Sequence, residues 1–173
     1  MIDFRTAHLF LVGFMGSGKS TVAALLAARM GRTLVDLDAE IEARTGRSIA
    51  ESLSADTEAD FRRTEQEVLG EIPERAAVVA TGGGTYLDAR IRRRLRLSGV
   101  TVWLDVSLVE ARRRTADGQG RPLWRNDDPI AFRAFFERRR AVYALADRRV
   151  ETSRKTPENV SIKVFERFEG FFD

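Results

Sequence analysis

One stretch, Gly13-Phe14-Met15-Gly16-Ser17-Gly18-Lys19-Ser20, constrains this chain more than any other. It fits the spacing G-x-x-x-x-G-K-[ST], and its flanks are those the pattern needs. His8-Leu9-Phe10-Leu11-Val12 comes before it, a short apolar run that reads as a buried strand. Residues 21–30 follow, rich in helix formers and stopped by Gly31. Strand, glycine loop and helix in that order make a phosphate cradle. Glycine keeps Cβ atoms out of the way, and the new helix offers unpaired N–H groups at the positive end of its dipole. Gly13, Gly16, Ser17, Gly18 and Thr21 are therefore candidate nucleotide contacts. Lys19 is placed to reach the β- and γ-phosphates, and the Ser20 hydroxyl to ligate Mg²⁺. The bland alternative is a glycine-rich turn before an ordinary helix. Lysine usage speaks against it: Lys19, Lys155 and Lys163 are the only lysines in an arginine-rich chain. One of them stands where a compact, mobile ammonium is wanted.

The bulk properties exclude several classes. A chain of 173 residues suits one domain with a substantial core, so residues 1–173 are expected to form a single unit. Hydrophobic content of 43% with 32% charged residues is ordinary for a globular protein. No apolar run is long enough to span a bilayer, and the N-terminal stretch lacks the basic and small-residue regions of a signal peptide. With no cysteine there is neither a disulfide framework nor a thiolate metal site. A cytoplasmic protein without a membrane partner is expected. Arg92-Arg93-Arg94, Arg112-Arg113-Arg114 and Arg138-Arg139-Arg140 invite a nucleic-acid reading, but the net charge is only +3 and no nucleic-acid motif accompanies them. Most fall on predicted helices, where solvated faces are the simpler account. Small anions explain a few of them better, and no nucleic-acid partner is expected.

Apolar runs and helical patterns alternate along the chain. Thr33-Leu34-Val35-Asp36 reads as a second strand, followed by helix over 38–44. Ser48-Ile49-Ala50-Glu51 has the spacing of a capping box, and residues 56–69 carry a longer helical pattern. A third strand, Ala77-Val78-Val79-Ala80, feeds Gly82-Gly83-Gly84. A basic helix over 88–97, a strand over 100–105 and a helix from Ser107 to Arg114 come next. Residues 116–129 read as loop, then a long helix to about 146, a last strand at 148–151 and a closing helix from Pro157. Such alternation points to a doubly wound α/β domain with a parallel sheet. Ligands bind there beyond the carboxyl ends of the strands, where the glycine loop, the Asp36-Leu37-Asp38 pair and the triple glycine all fall.

Carboxylates two apart in an extended segment face one side. One of Asp36 and Asp38 can support the Mg²⁺ shell through water while the other accepts a proton from a substrate hydroxyl; the alternative is a helix N-cap beside one solvated acid. Phe61-Arg62-Arg63-Thr64-Glu65, Arg121-Pro122-Leu123 and Arg139-Arg140-Ala141-Val142-Tyr143 each offer guanidinium forks that match carboxylate or phosphate oxygens. Gly82, Gly83 and Gly84 permit close approach of a polyhydroxylated ring, or form a flexible surface loop.

Together and in order, D-x-D, F-R-x-x-E, G-G-G, R-P-L and R-x-x-x-Y resemble the shikimate kinases, from about residue 9 to 150. The resemblance implies a three-layer P-loop kinase fold of the nucleoside-monophosphate-kinase type, with a five-stranded parallel sheet flanked by helices. It implies a mobile lid over about 115–128 and substrate-binding helices within about 37–70. It also implies ATP as phosphoryl donor, Mg²⁺ as cofactor, shikimate as small-molecule substrate and a monomeric enzyme. Asp38 is then the base that holds the shikimate hydroxyls, and Asp36 supports Mg²⁺. Arg62 and Arg139 clamp the carboxylate, with Arg138 and Arg140 as neighbouring alternatives. Gly82, Gly83 and Gly84 line the ring, Arg121 comes from the lid with Lys19 as its catalytic partner, and Arg114 lies against adenine. Two rival readings are a gluconate-type kinase and a non-catalytic nucleotide-binding module. The first shares the loop without the rest of the series; the second usually loses Lys19, the acids or Arg121, all of which are present.

Overall fold

Five short strands meet edge to edge in one sheet whose order is β2-β3-β1-β4-β5. They are β1 (His8–Val12), β2 (Thr33–Asp36), β3 (Ala77–Ala80), β4 (Gly99–Asp105) and β5 (Arg148–Glu151). Every pairing is parallel, from Thr33 beside Ala77 at one edge to Asp105 beside Glu151 at the other. The computed structural model describes residues 3–55, 58–115 and 128–172.

A parallel strand cannot be followed directly by its neighbour, so each connection carries a helix over one face of the sheet. The helices are α1 (Lys19–Met30), α2 (Leu37–Thr45), α3 (Ile49–Ala55), α4 (Glu58–Gly70), α5 (Ala89–Ser98), α6 (Leu108–Arg114), α7 (Pro129–Tyr143) and α8 (Pro157–Glu169). Side chains alternate across the sheet and build two cores. Leu9 and Leu11 of β1 join Val102 and Leu104 of β4 under α1 and α8, through Val22, Leu26, Val160 and Phe168. Phe10 and Val12 point the other way, toward Ile41, Phe61, Leu95 and Phe136. The result is the three-layer arrangement expected from the sequence.

Local signals set the helix ends. Gly31 closes α1 in the left-handed conformation, its N–H reaching back to the carbonyls of Ala27 and Ala28. Ser48 and Glu51 form the expected capping box: Glu51 Oε2 accepts from the Ser48 N–H at 2.8 Å, and Ser48 Oγ accepts from the Glu51 N–H at 3.2 Å. Asp88, Ser107, Asp128 and Thr156 cap α5, α6, α7 and α8.

Three of the boundaries that differ from the sequence reading bear on the site. Helix α1 begins at Lys19, so the loop lysine and Ser20 are already helical. Helix α2 begins at Leu37, directly after β2, which leaves Asp36 extended and Asp38 helical. The two acids are therefore not neighbours on one strand face. Helix α7 stops at Tyr143, short of residue 146. The chain must turn there because Asp147 accepts the backbone N–H of Thr101 at 2.8 Å and its hydroxyl at 2.6 Å, which starts β5 beside β4. Of the expected lid, only Thr115, which closes α6, and Asp128, which caps α7, are described. Arg121 lies outside the described residues.

Candidate active site

The phosphate loop connects the C-terminal end of β1 to α1. Gly16 and Gly18 take φ of 75° and 91°, the left-handed region that favours glycine. Lys19 folds back over the loop: Nζ donates to the carbonyls of Gly13 at 3.0 Å and Phe14 at 3.3 Å. Gly16, Gly18, Lys19, Ser20 and Thr21 line a cavity of about 500 Å³. Gly13 and Ser17 do not. A Cβ on Gly13 would stand 2.6 Å from the Leu104 carbonyl, so this glycine lets the loop pack on β4. The Ser17 N–H is turned inward to the Phe14 carbonyl at 3.2 Å.

The opposite wall is built by α2, α4, α7 and the loop after β3. Asp38, Arg62, Gly82, Gly83, Gly84 and Arg139 all reach the same cavity, with Ile49, Leu53 and Phe61 as apolar lining. Six expected site residues, distant in sequence, thus converge. Asp36 stands apart as the α2 cap, its Oδ1 accepting from the Asp38 N–H at 3.1 Å. The reading of an N-cap beside a solvated acid holds for Asp36 but not for Asp38, which faces the cavity.

The triple glycine makes room rather than turns. None of the three has a positive φ. A Cβ on Gly82 would come within 2.8 Å of Asp38 Oδ1, and one on Gly84 within 2.5 Å of Arg62 Nη2. The missing side chains leave space for the protein's own carboxylate and guanidinium at the cavity wall.

Arg62 is oriented from below by Glu65, a residue given no role in the sequence reading. Glu65 Oε2 accepts from Arg62 Nη1 at 2.8 Å, and Oε1 accepts from the Thr85 hydroxyl. A sequence signal existed: Phe61, Glu65, Val68 and Leu69 share the buried face of α4, where a carboxylate needs a reason to be. Arg139 is held differently. Its Nη1 donates to the Gly83 carbonyl at 3.3 Å, and its guanidinium lies 4.1 Å from the Phe135 ring centre. Tyr143, one turn on, also donates to the Gly83 carbonyl. Burial pushes the Tyr143 hydroxyl up to about 12, so it remains a donor. Burial lowers the Arg139 pKa, and nearby Arg62 acts in the same direction. Two guanidiniums crowded at one wall make a site of positive potential that favours a carboxylate or phosphate.

The three consecutive arginines of α7 separate by helical phase. Arg139 faces the cavity, whereas Arg140 turns to Asp105 at the end of β4, with Nη2 to Oδ2 at 3.1 Å, and Arg138 does not line the cavity. Arg114 borders the loop from α6, its Nη1 donating to the Gly16 carbonyl at 3.2 Å and Nη2 to that of Thr152 at 2.9 Å. Glu110 steadies it with Oε1 at 2.8 Å from Arg114 Nε. The bonds from Arg113 and Arg114 hold the Glu110 carboxyl near pKa 2.

A wider groove of about 710 Å³, bordered by Thr6, Arg32 and Ala76, lies where the strands begin. Its size does not make it the better candidate, since no glycine loop or helix N-terminus opens into it. At the carboxyl edge, one cavity joins a phosphate loop and lysine to a carboxylate and two guanidiniums. That set can hold a nucleotide and a hydroxylated organic acid side by side, with a base near the hydroxyl.

Comparison with known proteins bears directly on this site. A family model described as shikimate kinase matches residues 15–169. The curated shikimate kinase of Synechococcus elongatus is 46% identical over 144 residues, covering 82% of this chain and 75% of that protein. That of Paramagnetospirillum magneticum is 39% identical over 167 residues, covering 95% and 86%. Among solved structures, the Acinetobacter baumannii shikimate kinase in complex with shikimate superposes with a TM-score of 0.88 at 33% identity, over 97% of this chain and 96% of that one. A Sinorhizobium meliloti gluconokinase, at 16% identity and a TM-score of 0.61 over 96% of each chain, shares the fold alone.

Proposed function

This chain belongs to the shikimate kinase family, and from that premise we propose how its residues carry the reaction. The enzyme transfers the γ-phosphoryl group of ATP to the 3-hydroxyl of shikimate, giving shikimate 3-phosphate and ADP. The observation that carries the residue assignment is the convergence of Lys19, Asp38, Arg62 and Arg139 on one cavity of about 500 Å³.

Arg62 and Arg139 clamp the shikimate carboxylate, and Gly82, Gly83 and Gly84 give its ring a close wall. This leaves the 3-hydroxyl toward Asp38 and the phosphate loop. The hydroxyl oxygen forms its bond to the γ-phosphorus as the β,γ-bridging bond breaks, and its proton passes to Asp38. An ordinary carboxylate suffices as acceptor, because the hydroxyl becomes acidic only as the new bond forms. Gly16, Gly18 and Thr21 cradle the phosphates, and Lys19 neutralises charge on the moving group. Arg114 flanks the nucleotide from the α6 side, and the resemblance assigns Arg121 a second positive charge over the phosphates.

The donor set suits Mg²⁺. Ser20 lines the cavity, and both helix-cap bonds of Asp36 among the described residues go to Oδ1. Among the described residues no group of three or more histidines, cysteines or acids gathers around a metal position. Mg²⁺ accepts such a sparse set, since it keeps waters and substrate phosphates in its shell. Ser20 directly, and Asp36 through water, would hold the ion, which when bound neutralises phosphate charge. The same reading takes the enzyme as a cytoplasmic monomer.

A coupled ADP-release assay with shikimate, quinate and gluconate tests the assignment. Turnover restricted to shikimate is expected; turnover of gluconate with none of shikimate would overturn it.

A further inference from the structure

Arg62 and Arg139 face the same cavity but are oriented by opposite means. Arg62 is paired with a buried carboxylate, Glu65. Among the described residues no carboxylate lies within ion-pair distance of Arg139; its contacts are the Gly83 carbonyl, the Tyr143 hydroxyl and the face of Phe135. These groups direct the guanidinium without neutralising it, which leaves its charge for an incoming anion. The Phe135 ring supports its flat side at 4.1 Å, close enough for a strong cation–π contact at a half-buried position.

Phe135 is itself braced. Phe14, in the phosphate loop, meets the rings of Phe135 and Phe136 edge-on at 5.9 and 4.9 Å. An unbroken path of packed groups therefore runs from the phosphate loop through Phe14 and Phe135 to Arg139. We propose that Phe135 is the positioning residue of the carboxylate clamp, its ring held in turn by Phe14. The inference rests on Arg139 binding the shikimate carboxylate. Phe135 does not line the cavity; it acts by setting the plane of Arg139.

The test uses the full-length wild type with Phe135→Leu, which keeps apolar bulk but removes the π face, and Phe135→Tyr, which restores the ring. Expected for Phe135→Leu is a rise of about tenfold in the KM for shikimate, with the KM for ATP and kcat within about twofold of wild type. Calorimetry should show Phe135→Tyr binding shikimate about as tightly as wild type. Phe135→Leu should bind shikimate about tenfold more weakly than wild type. An unchanged KM for shikimate in Phe135→Leu overturns the inference. So does a parallel loss in both KM values and kcat that Phe135→Tyr fails to rescue, the mark of a merely structural ring. A wild type that neither binds nor phosphorylates shikimate overturns the functional reading instead.

Discussion

Glu65 holds Arg62 from beneath the cavity floor, with Oε2 2.8 Å from Nη1 and the residue only 1% exposed. Its other oxygen takes the Thr85 hydroxyl, so the carboxylate joins α4 to the turn that follows the triple glycine. A buried charge of this kind is tolerated because both oxygens are used, and it gives Arg62 one direction. Glu65→Gln keeps the shape and removes the charge. It should raise the KM for shikimate and lower stability by about 2 kcal/mol, the scale of a hydrogen bond to a charged group. Urea titration and steady-state kinetics on the same preparation check both; an unchanged KM would detach Glu65 from the site.

The glycines give a paired prediction. Gly84→Ala puts a methyl 2.5 Å from the Arg62 fork and should act mainly on the KM for shikimate. Gly82→Ala presses on Asp38 Oδ1 from 2.8 Å, with Thr85 and Glu65 close behind, and should act mainly on kcat. Measuring kcat and KM separately for the two variants tests whether each glycine serves the residue it abuts.

Asp38→Asn should cut kcat by well over tenfold, more than about 1.4 kcal/mol of barrier, with ATP binding nearly unchanged. Asparagine keeps the shape but does not take the proton. Asp36→Asn should spare stability, because asparagine caps a helix as well as aspartate does, and should appear as a raised Mg²⁺ requirement. Titrating Mg²⁺ at saturating ATP separates the two acids. Equal effects in both assays would contradict the division of labour.

Neighbouring arginines on α7 should behave differently. Arg139→Ala should raise the KM for shikimate by about tenfold or more, as expected when a desolvated carboxylate loses a charged partner. Arg140→Ala takes one of two guanidinium partners from buried Asp105, the other being Arg149, and should lower the unfolding midpoint with little change in KM. Arg138→Ala should do neither. The reverse order in kinetics would mean a different helical phase.

His8, the chain's one histidine, gives a pH signature. Its Nδ1 accepts the Ala77 N–H at 3.1 Å, which requires that nitrogen to be unprotonated. Burial, aided by the positive charge of Arg32, holds its pKa below 6.5. The unfolded chain then takes up this proton more readily than the folded one. The His8 contribution to stability is complete above about pH 6.5 and is lost as pH falls through the lowered folded value. Urea midpoints at pH 7.5 and 5.5 should therefore drop more for wild type than for His8→Gln, whose amide oxygen can still accept. Equal drops would show that other groups carry the acid sensitivity.

Much of this molecule was legible along the chain. The segments His8–Val12, Thr33–Asp36, Ala77–Ala80 and Arg148–Glu151, read as strands, became strands with those bounds. The glycine loop, Gly31 and the Ser48–Glu51 box fell where turn and cap chemistry put them, because these signals act within a few residues. The ordered motif series was enough to indicate the family. What the sequence left open depended on partners distant along the chain. It offered Arg138, Arg139 and Arg140 alike. On a helix each differs from the next by about 100° of rotation, and the choice is made only when Phe132 and Phe136 dock α7 against Phe14. It showed three glycines but not the purpose of the missing side chains, because the atoms that need the space belong to Asp38 and Arg62, brought there by α2 and α4. It placed Glu65 in a motif without a role, since its partner Thr85 is twenty residues away. Local sequence encodes period, turn and cap; which face of each helix meets which neighbour is decided by burial of the whole core, and the clamp follows from that packing.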